Sequence, residues 1–441
     1  MTRKLRLVSD LIEWTIKHFF PWIVSPVSTI KVDRGKVNTI LNWTKLPVQF
    51  LSGESVMRVE KSIYLDYQST TPVDDRVMQA MLPYFTDSFG NPHSSSHALG
   101  WKSSDAVETA RAVIASTVGA LPEEIVFTSG ATESNNQAMF GVMFGNTTPR
   151  NRVLVSAIEH KCVKESALFF GNKLGFVVEE IPVLSTGKID LQAYQSMVSD
   201  DVLLVSIMAV NNEIGVIQDI SCLSGLAHQA GALFHCDAAQ ALEAMDVDVA
   251  DLGVDLLSLS AHKLYGPKGI GALYIDSSIQ DNFPALIHGG GQQWGLRAGT
   301  LPTPLCVGFG VAASLIQSEG VQSRSALRVL SDRFVERLLS EEVRFRLNGD
   351  QHDRHPGNLS IELIGIDAES LLMSLQPRIC AATGSACNSG MIQSSYVLRA
   401  IGVSEGSAAS CVRFSLGRFS DEAQVDEAVK IIANGVRSGS I

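Results

Sequence analysis

The sequence predicts an α/β protein with a mostly parallel, helix-covered sheet, and three observations carry that expectation. Short apolar runs alternate with helical stretches along most of the chain. Hydrophobic residues make up 45% of the 441 residues, beside Gly 36, which is enough for two domains that each hold a core. Polar residues recur just past the apolar runs, where sheets of this kind receive ligands.

In chain order, Ile63-Tyr64-Leu65 reads as a short strand and Asp66-Tyr67-Gln68-Ser69-Thr70-Thr71-Pro72 as a polar turn. Asp74 then caps a helix that runs to Phe85. After the loop Phe89-Gly90-Asn91-Pro92-His93-Ser94, a long amphipathic helix sets Val107, Ala110, Ile114 and Val118 at helical spacing. Glu124-Ile125-Val126-Phe127 is a strand that enters Thr128-Ser129-Gly130-Ala131-Thr132-Glu133-Ser134-Asn135, where a helix opens. Small residues at such a junction leave backbone N–H groups free to hold a phosphate. The competing reading is an ordinary cap by Ser129 or Thr132. No Walker loop is present.

Further strands are expected over residues 153–157, 203–208, 232–235, 256–259 and 270–275, with helices between them. Beyond their ends stand His160, Asn212 with Glu213, Asp237 with Gln240, and Ser260-Ala261-His262-Lys263. Each has a bland reading taken singly: a satisfied loop histidine, a turn asparagine, a capping aspartate, a solvated lysine. Four such ends converging in one sheet are harder to dismiss. A lysine placed there suits covalent attachment of an aldehyde, most plausibly pyridoxal phosphate. An aspartate facing a pyridinium nitrogen keeps that ring an electron sink, and an imidazole stacked on it shuttles protons.

Charge and cysteine usage exclude other classes. A net charge of -11 speaks against direct nucleic-acid binding, which needs a basic face. The seven cysteines, at 162, 222, 236, 306, 380, 387 and 411, form no C-x-x-C pair and suit a reducing compartment. Residues 1–57 stand apart as an N-terminal extension, with Met57 a second candidate start. Eight Lys/Arg face four Asp/Glu over residues 1–56. Its apolar stretch from Leu5 to Val24 is interrupted by Glu13, Lys17 and His18, so no transmembrane segment is expected. A cytoplasmic location is expected; Asp10 and Glu13 weigh against a mitochondrial presequence but leave organellar targeting open.

Several runs match a known family in identity, order and spacing. They are Tyr64-Leu65-Asp66-Tyr67, Ser129-Gly130-Ala131-Thr132-Glu133-Ser134, Glu159-His160-Lys161, Asn211-Asn212-Glu213-Ile214-Gly215 and His262-Lys263-Leu264-Tyr265-Gly266-Pro267-Lys268-Gly269. Arg297-Ala298-Gly299-Thr300, Gly384-Ser385-Ala386-Cys387 and Arg413-Phe414-Ser415-Leu416-Gly417-Arg418 complete the set. Over about residues 62 to 430 the chain resembles cysteine desulfurases of the NifS/IscS type, within the class V aminotransferases.

The resemblance implies a fold-type I pyridoxal 5'-phosphate enzyme. A large domain over residues 73–320 would carry the sheet, and a smaller α+β domain would combine 58–72 with 321–441. Lys263 would carry the cofactor, Asp237 would pair with its ring nitrogen, and His160 would stack on it. Gln240 and Asn212 would lie near its O3′ and the substrate. Ala131, Thr132, Ser260 and His262 would hold the phosphate, joined by Thr300 from the partner subunit of a homodimer. Arg413 would clamp the carboxylate of L-cysteine. Cys387 would take the substrate sulfur as a persulfide, leave alanine, and pass the sulfur to an acceptor protein.

Departures from the family pattern leave the acceptor open. Asn388 and Gly390-Met391-Ile392-Gln393 differ from the usual loop, and Ile441 falls where scaffold-docking members carry a longer tail. Iron–sulfur cluster assembly, tRNA thiolation and DNA phosphorothioation all remain. The alternatives are a selenocysteine lyase or other transferase of the same fold, and a non-catalytic partner subunit.

Overall fold

The computed structural model describes residues 62–383 and 395–439. The N-terminal extension and Cys387 lie outside these residues, so the expectations placed on them have no structural counterpart below.

The strands are β1 (Ile63–Tyr64), β2 (Ile125–Thr128), β3 (Arg152–Ser156), β4 (Val177–Ile181), β5 (Val202–Ser206), β6 (Leu233–Asp237) and β7 (Leu256–Ser260). After them come β8 (Gly271–Ile275), β9 (Phe345–Leu347), β10 (Asn358–Leu363), β11 (Ile379–Cys380), β12 (Ala382–Thr383) and β13 (Cys411–Ser415). Five helices matter here: α1 (Ala98–Thr117), α2 (Ala131–Phe144), α3 (Lys161–Leu174), α4 (Thr303–Ser340) and α5 (Tyr396–Ala400).

A seven-stranded sheet runs in the order β2-β8-β7-β6-β5-β3-β4. Strands β7, β6, β5, β3 and β4 pair in parallel, while β8 is antiparallel to both its neighbours. All residues of β2, β5, β7 and β8 are buried, as expected of strands covered on both faces. The fold is the α/β class that the alternation predicts.

Strand β4 was not expected from the sequence. Its Val-Val-Glu-Glu-Ile composition carries two charges, which only an edge strand accommodates. Glu179 meets Arg152 of β3 at 2.6 Å. The helix after Asp74 is also shorter than expected: it ends at Met81, and a separate turn starts at Pro83. Proline has no N–H to continue the ladder.

A second, four-stranded antiparallel sheet has the order β12-β13-β10-β9, and β1 pairs in parallel with β11. The 38-residue helix α4 serves two cores. Cys306, Phe309, Ala312 and Ala313 pack into the core beside the large sheet, whereas Leu327, Leu330, Phe334 and Leu338 pack into the core of the small one. Helix α4 is long and apolar enough to cross a membrane by length and composition alone. Here those residues fill protein cores instead.

Candidate active site

The carboxyl ends of β2, β6 and β7 open onto a cavity of about 570 Å³. Ala131, Thr132, His160, Asn212, Asp237, Gln240, Ser260, His262, Lys263 and Arg413 all line it. Of the described residues expected at the site, Thr300 alone does not. It is exposed on the loop that follows Gly299.

The junction between β2 and α2 distinguishes the two readings left open for it. Gly130 is the N-cap, at φ 149°, and no side chain caps the helix. Ser129 and Thr132 therefore leave the first-turn N–H groups facing the cavity that Ser129, Gly130, Ala131 and Thr132 line. An uncapped helix start of this kind favours an anion. Glu133 is turned to other use: its carboxylate accepts from the Ser129 N–H and pairs with Arg297 at 2.8 Å. Burial pushes its pKa up, but these donors outweigh burial and hold it below the ordinary glutamate range.

Asp237, 4% exposed at the end of β6, accepts from the Ala239 N–H at 2.9 Å and from Asn135 Nδ2 at 2.7 Å. His235, two residues earlier, is fully buried between the Ser206 and Ser258 hydroxyls at 2.8 and 3.0 Å. Burial lowers its pKa to about 4, so it is neutral beneath the site. Asn212 is not the turn former. Asn211 is, since its Oδ1 accepts from the Glu213 and Ile214 N–H groups, which leaves the Asn212 side chain to the cavity.

Lys263 ends a single helical turn, Ala261–Lys263, that follows β7. Its Nζ donates to the Gln68 and Ser69 carbonyls, both at 2.7 Å. The turn is braced two residues on, where Tyr265 adopts a left-handed φ of 60°. The Thr71 hydroxyl accepts from the Tyr265 N–H at 3.0 Å, and the Asp74 N–H donates to the Tyr265 carbonyl at 2.9 Å. His262 Nδ1 meets the Thr70 hydroxyl at 3.1 Å, and burial beside Lys263 lowers its pKa to about 4.

The polar turn after β1 is the element that sequence reasoning underused. Gln68, Ser69 and Thr70 line the cavity; the Gln68 and Ser69 carbonyls hold Lys263, and the Gln68 carbonyl also accepts from Gln240 Nε2 at 2.9 Å. The matching run Tyr64-Leu65-Asp66-Tyr67 marked this region, but no role was attached to it. Asn135 and Cys162 were also missed: Cys162 stands two residues after His160, but only the fold brings Asn135 to Asp237 and so links the two pairs.

Arg413, on β13 and 8% exposed, comes from the small sheet. It donates to the Asp66 carboxylate and the Ser69 hydroxyl at 2.6 Å and to the Asn212 carbonyl at 2.7 Å. Its Nε is buried without an acceptor. Nearby, the Ser395 hydroxyl donates to Glu213 Oε2 at 2.5 Å. Burial raises the Glu213 pKa to about 7, against the lowering effect of Ser395 and Arg413.

An uncapped helix start, a buried carboxylate and a strand-end lysine thus face one space, the donor set that a phosphorylated pyridine aldehyde needs. The residues present fit that group.

The family profile described as Aminotransferase class-V matches residues 63–428. Cysteine desulfurase IscS of Rickettsia typhi is 45% identical over 376 residues, spanning 85% of this chain and 91% of its own. A solved structure described as a NifS-like protein superposes with a TM-score of 0.79 at 33% identity, covering 86% of this chain and 100% of the other. Another, described as SspA in complex with cysteine, gives a TM-score of 0.72 at 37% identity, over 81% and 99% of the two chains. With a profile that runs nearly the length of the described residues and relatives this similar, the chain belongs to the class-V aminotransferases and, within them, to the cysteine desulfurases.

Proposed function

We propose that this enzyme uses pyridoxal phosphate to remove sulfur from L-cysteine, giving L-alanine and a persulfide on Cys387 that passes to an acceptor protein. The observation that carries the reading is the meeting of Lys263, Asp237, His160 and an uncapped helix start around one cavity. The family implies the cofactor. When bound, it supplies an electron sink for the substrate's α-carbon.

The chain's own residues do the rest. Lys263 would hold the cofactor through its amine, and Asp237 would pair with its ring nitrogen. The N–H groups of Ala131 and Thr132, with Ser260 and His262, would bind the phosphate, and Thr300 would join them from the partner subunit of a homodimer. His160 would stack on the ring and move protons. Gln240 and Asn212 orient the cofactor's O3′ and the substrate. Arg413 receives the substrate carboxylate in exchange for its contact with Asp66. Cys387, as thiolate, attacks the substrate sulfur: the carbon–sulfur bond breaks, a sulfur–sulfur bond forms, and the carbon takes a proton to become alanine. Residues 73–320 then act as the large domain, and 58–72 with 321–441 as the small domain that brings Arg413 and Cys387 to the site.

The test is to incubate the purified full chain with L-cysteine and a dithiol, assay alanine and sulfide, and map the persulfide by mass spectrometry. Alanine and sulfide in equal amounts are expected, with the persulfide on Cys387. Cys387→Ala should bind cysteine but form neither product, and Lys263→Ala should lose activity by at least about a hundredfold. Alanine formation that survives Cys387→Ala would instead favour a lyase, and wild-type chain without alanine would end the reading.

A further inference from the structure

Behind the cavity wall runs a hydrogen-bonded chain that no role above uses. Asn135 is fully buried on α2, and its Nδ2 donates to Asp237 Oδ2 at 2.7 Å and to Cys162 Sγ at 3.1 Å. An amide nitrogen carries two hydrogens, so it can serve both acceptors. The orientation of the amide follows from its partner, because a carboxylate can only accept. Cys162 Sγ lies 3.0 Å from His160 Nδ1, and the Cys162 backbone N–H donates to the same Nδ1 at 3.2 Å. A backbone N–H can only donate, so Nδ1 is an acceptor and the proton of the neutral ring sits on Nε2. Burial and the nearby Asp237 raise the Cys162 thiol to about 12, which keeps its S–H as a second donor to Nδ1.

We propose that Asn135 and Cys162 are positioning residues that link Asp237 to His160, orient the imidazole and, through a second donor on Nδ1, stabilise its neutral Nε2–H form. The proposal rests on the reading of His160 as the ring-facing proton carrier. It adds a second donor to Nδ1, beside the backbone N–H that already leaves the proton of the neutral ring on Nε2. A linear chain of donors from a carboxylate to a histidine orients the ring as second-partner contacts do at metal-bound histidines.

Cys162 is thereby assigned a task other than sulfur chemistry. A thiol held protonated at neutral pH is a poor nucleophile, and both its hydrogen-bonding directions are spent, one accepting from Asn135 and one donating to His160. The charged and titratable groups that act on His160 are Asp237 from β6, Lys263 from the turn after β7, and Lys161 from α3. Burial outweighs Asp237 and holds the ring below the ordinary histidine range. Loss of the S–H donor removes a contact that favours the neutral form, so the ring should then protonate at higher pH.

The test uses the full chain with isotope-labelled histidine, the His160 ring nitrogens being assigned by their loss in His160→Gln. In wild type the ring-nitrogen spectrum should show Nε2 protonated and Nδ1 bare. In Cys162→Ala the backbone N–H of residue 162 still holds Nδ1 as an acceptor, so the tautomer should persist while the Nδ1 signal shifts and the ring protonates at higher pH, whereas Cys162→Ser, which retains a donor of similar size, should restore the wild-type spectrum. Asn135→Ala should move the Nδ1 signal in the same direction as Cys162→Ala. With cysteine as substrate, Cys162→Ala should lower kcat about tenfold while KM stays nearly constant, and Cys162→Ser should recover most of it. Unchanged His160 signals in both Cys162→Ala and Asn135→Ala, or a Cys162→Ser spectrum that matches Cys162→Ala, would overturn the proposal. The spectra read the imidazole whether or not sulfur is released, so this outcome is separate from the fate of the desulfurase assay.

Discussion

At the residue scale, the site is built from groups that satisfy one another before any ligand arrives. Lys263 rests on two carbonyls of the turn at 68–69, and Arg413 rests on Asp66, Ser69 and Asn212. In the proposed reading an incoming carboxylate would exchange with Asp66 rather than meet a bare cation; the contacts already made limit the cost of keeping a guanidinium 8% exposed. The fork matters as much as the charge: Nη1 and Nη2 serve Asn212, Asp66 and Ser69 together, while Nε is buried without an acceptor. Arg413→Lys keeps the charge and loses the fork. It should raise KM for cysteine roughly tenfold to a hundredfold, the worth of one charge-assisted hydrogen bond, as steady-state kinetics would measure. An unchanged KM would remove Arg413 from substrate binding.

At the element scale, α4 lies closely against α1. A Cβ at Gly310 would stand 2.8 Å from the Cα of Ala110, a backbone atom that cannot move without shifting α1. At Gly320, ten residues along the same helix, a Cβ would meet side chains alone, the end of Arg324 at 3.2 Å and Ile316 Cγ2 at 3.6 Å. The two glycines should therefore answer differently to substitution. Gly310→Val should destabilise by about 1–3 kcal/mol through overpacking. Gly320→Ala should be neutral or stabilising by up to about 1 kcal/mol, since alanine favours a helix interior. Thermal melting of both variants checks this; equal melting temperatures would show that α1 and α4 can part freely. The uncapped start of α2 is the complementary case, an element end left unsatisfied by side chains where the cofactor phosphate is proposed to bind.

At the scale of the whole molecule, two cores are joined by α4 and by buried polar groups between the sheets. His355 is one of these: its N–H donates to the Gly215 carbonyl at 2.8 Å, and its Nδ1 accepts from the Gly357 N–H at 3.0 Å. Burial, with Arg328 nearby, lowers its pKa to about 4, well below the ordinary 6.5. Its neutral form thus stabilises the fold fully above about pH 6.5. As pH falls from there toward 4, the unfolded chain binds a proton that the folded chain refuses, and stability drops by up to about 1.4 kcal/mol per pH unit. Glu213, with its pKa raised to about 7, acts with the opposite sign over part of that range, so a comparison between variants isolates the histidine. The fall in melting temperature between neutral and mildly acid pH should be smaller in His355→Gln than in wild type. An identical fall in both would exclude His355 as a source of acid sensitivity.

The chain order of apolar runs and the polar residues beyond them determined the sheet class and most of the cavity lining without coordinates. Periodicity and strand-end position are local properties, and His160, Asp237 and Lys263 each announce themselves within a few residues of a strand. What the sequence left undecided is whatever depends on a partner far along the chain. The choice between a capped and an open helix start at Gly130, the turn at 68–69 beneath Lys263, and the contact of Asn135 with Asp237, 102 positions away, belong to that group. Only tertiary packing decides them, because hydrogen bonds of this range exist once the strands are laid side by side and water is excluded between them.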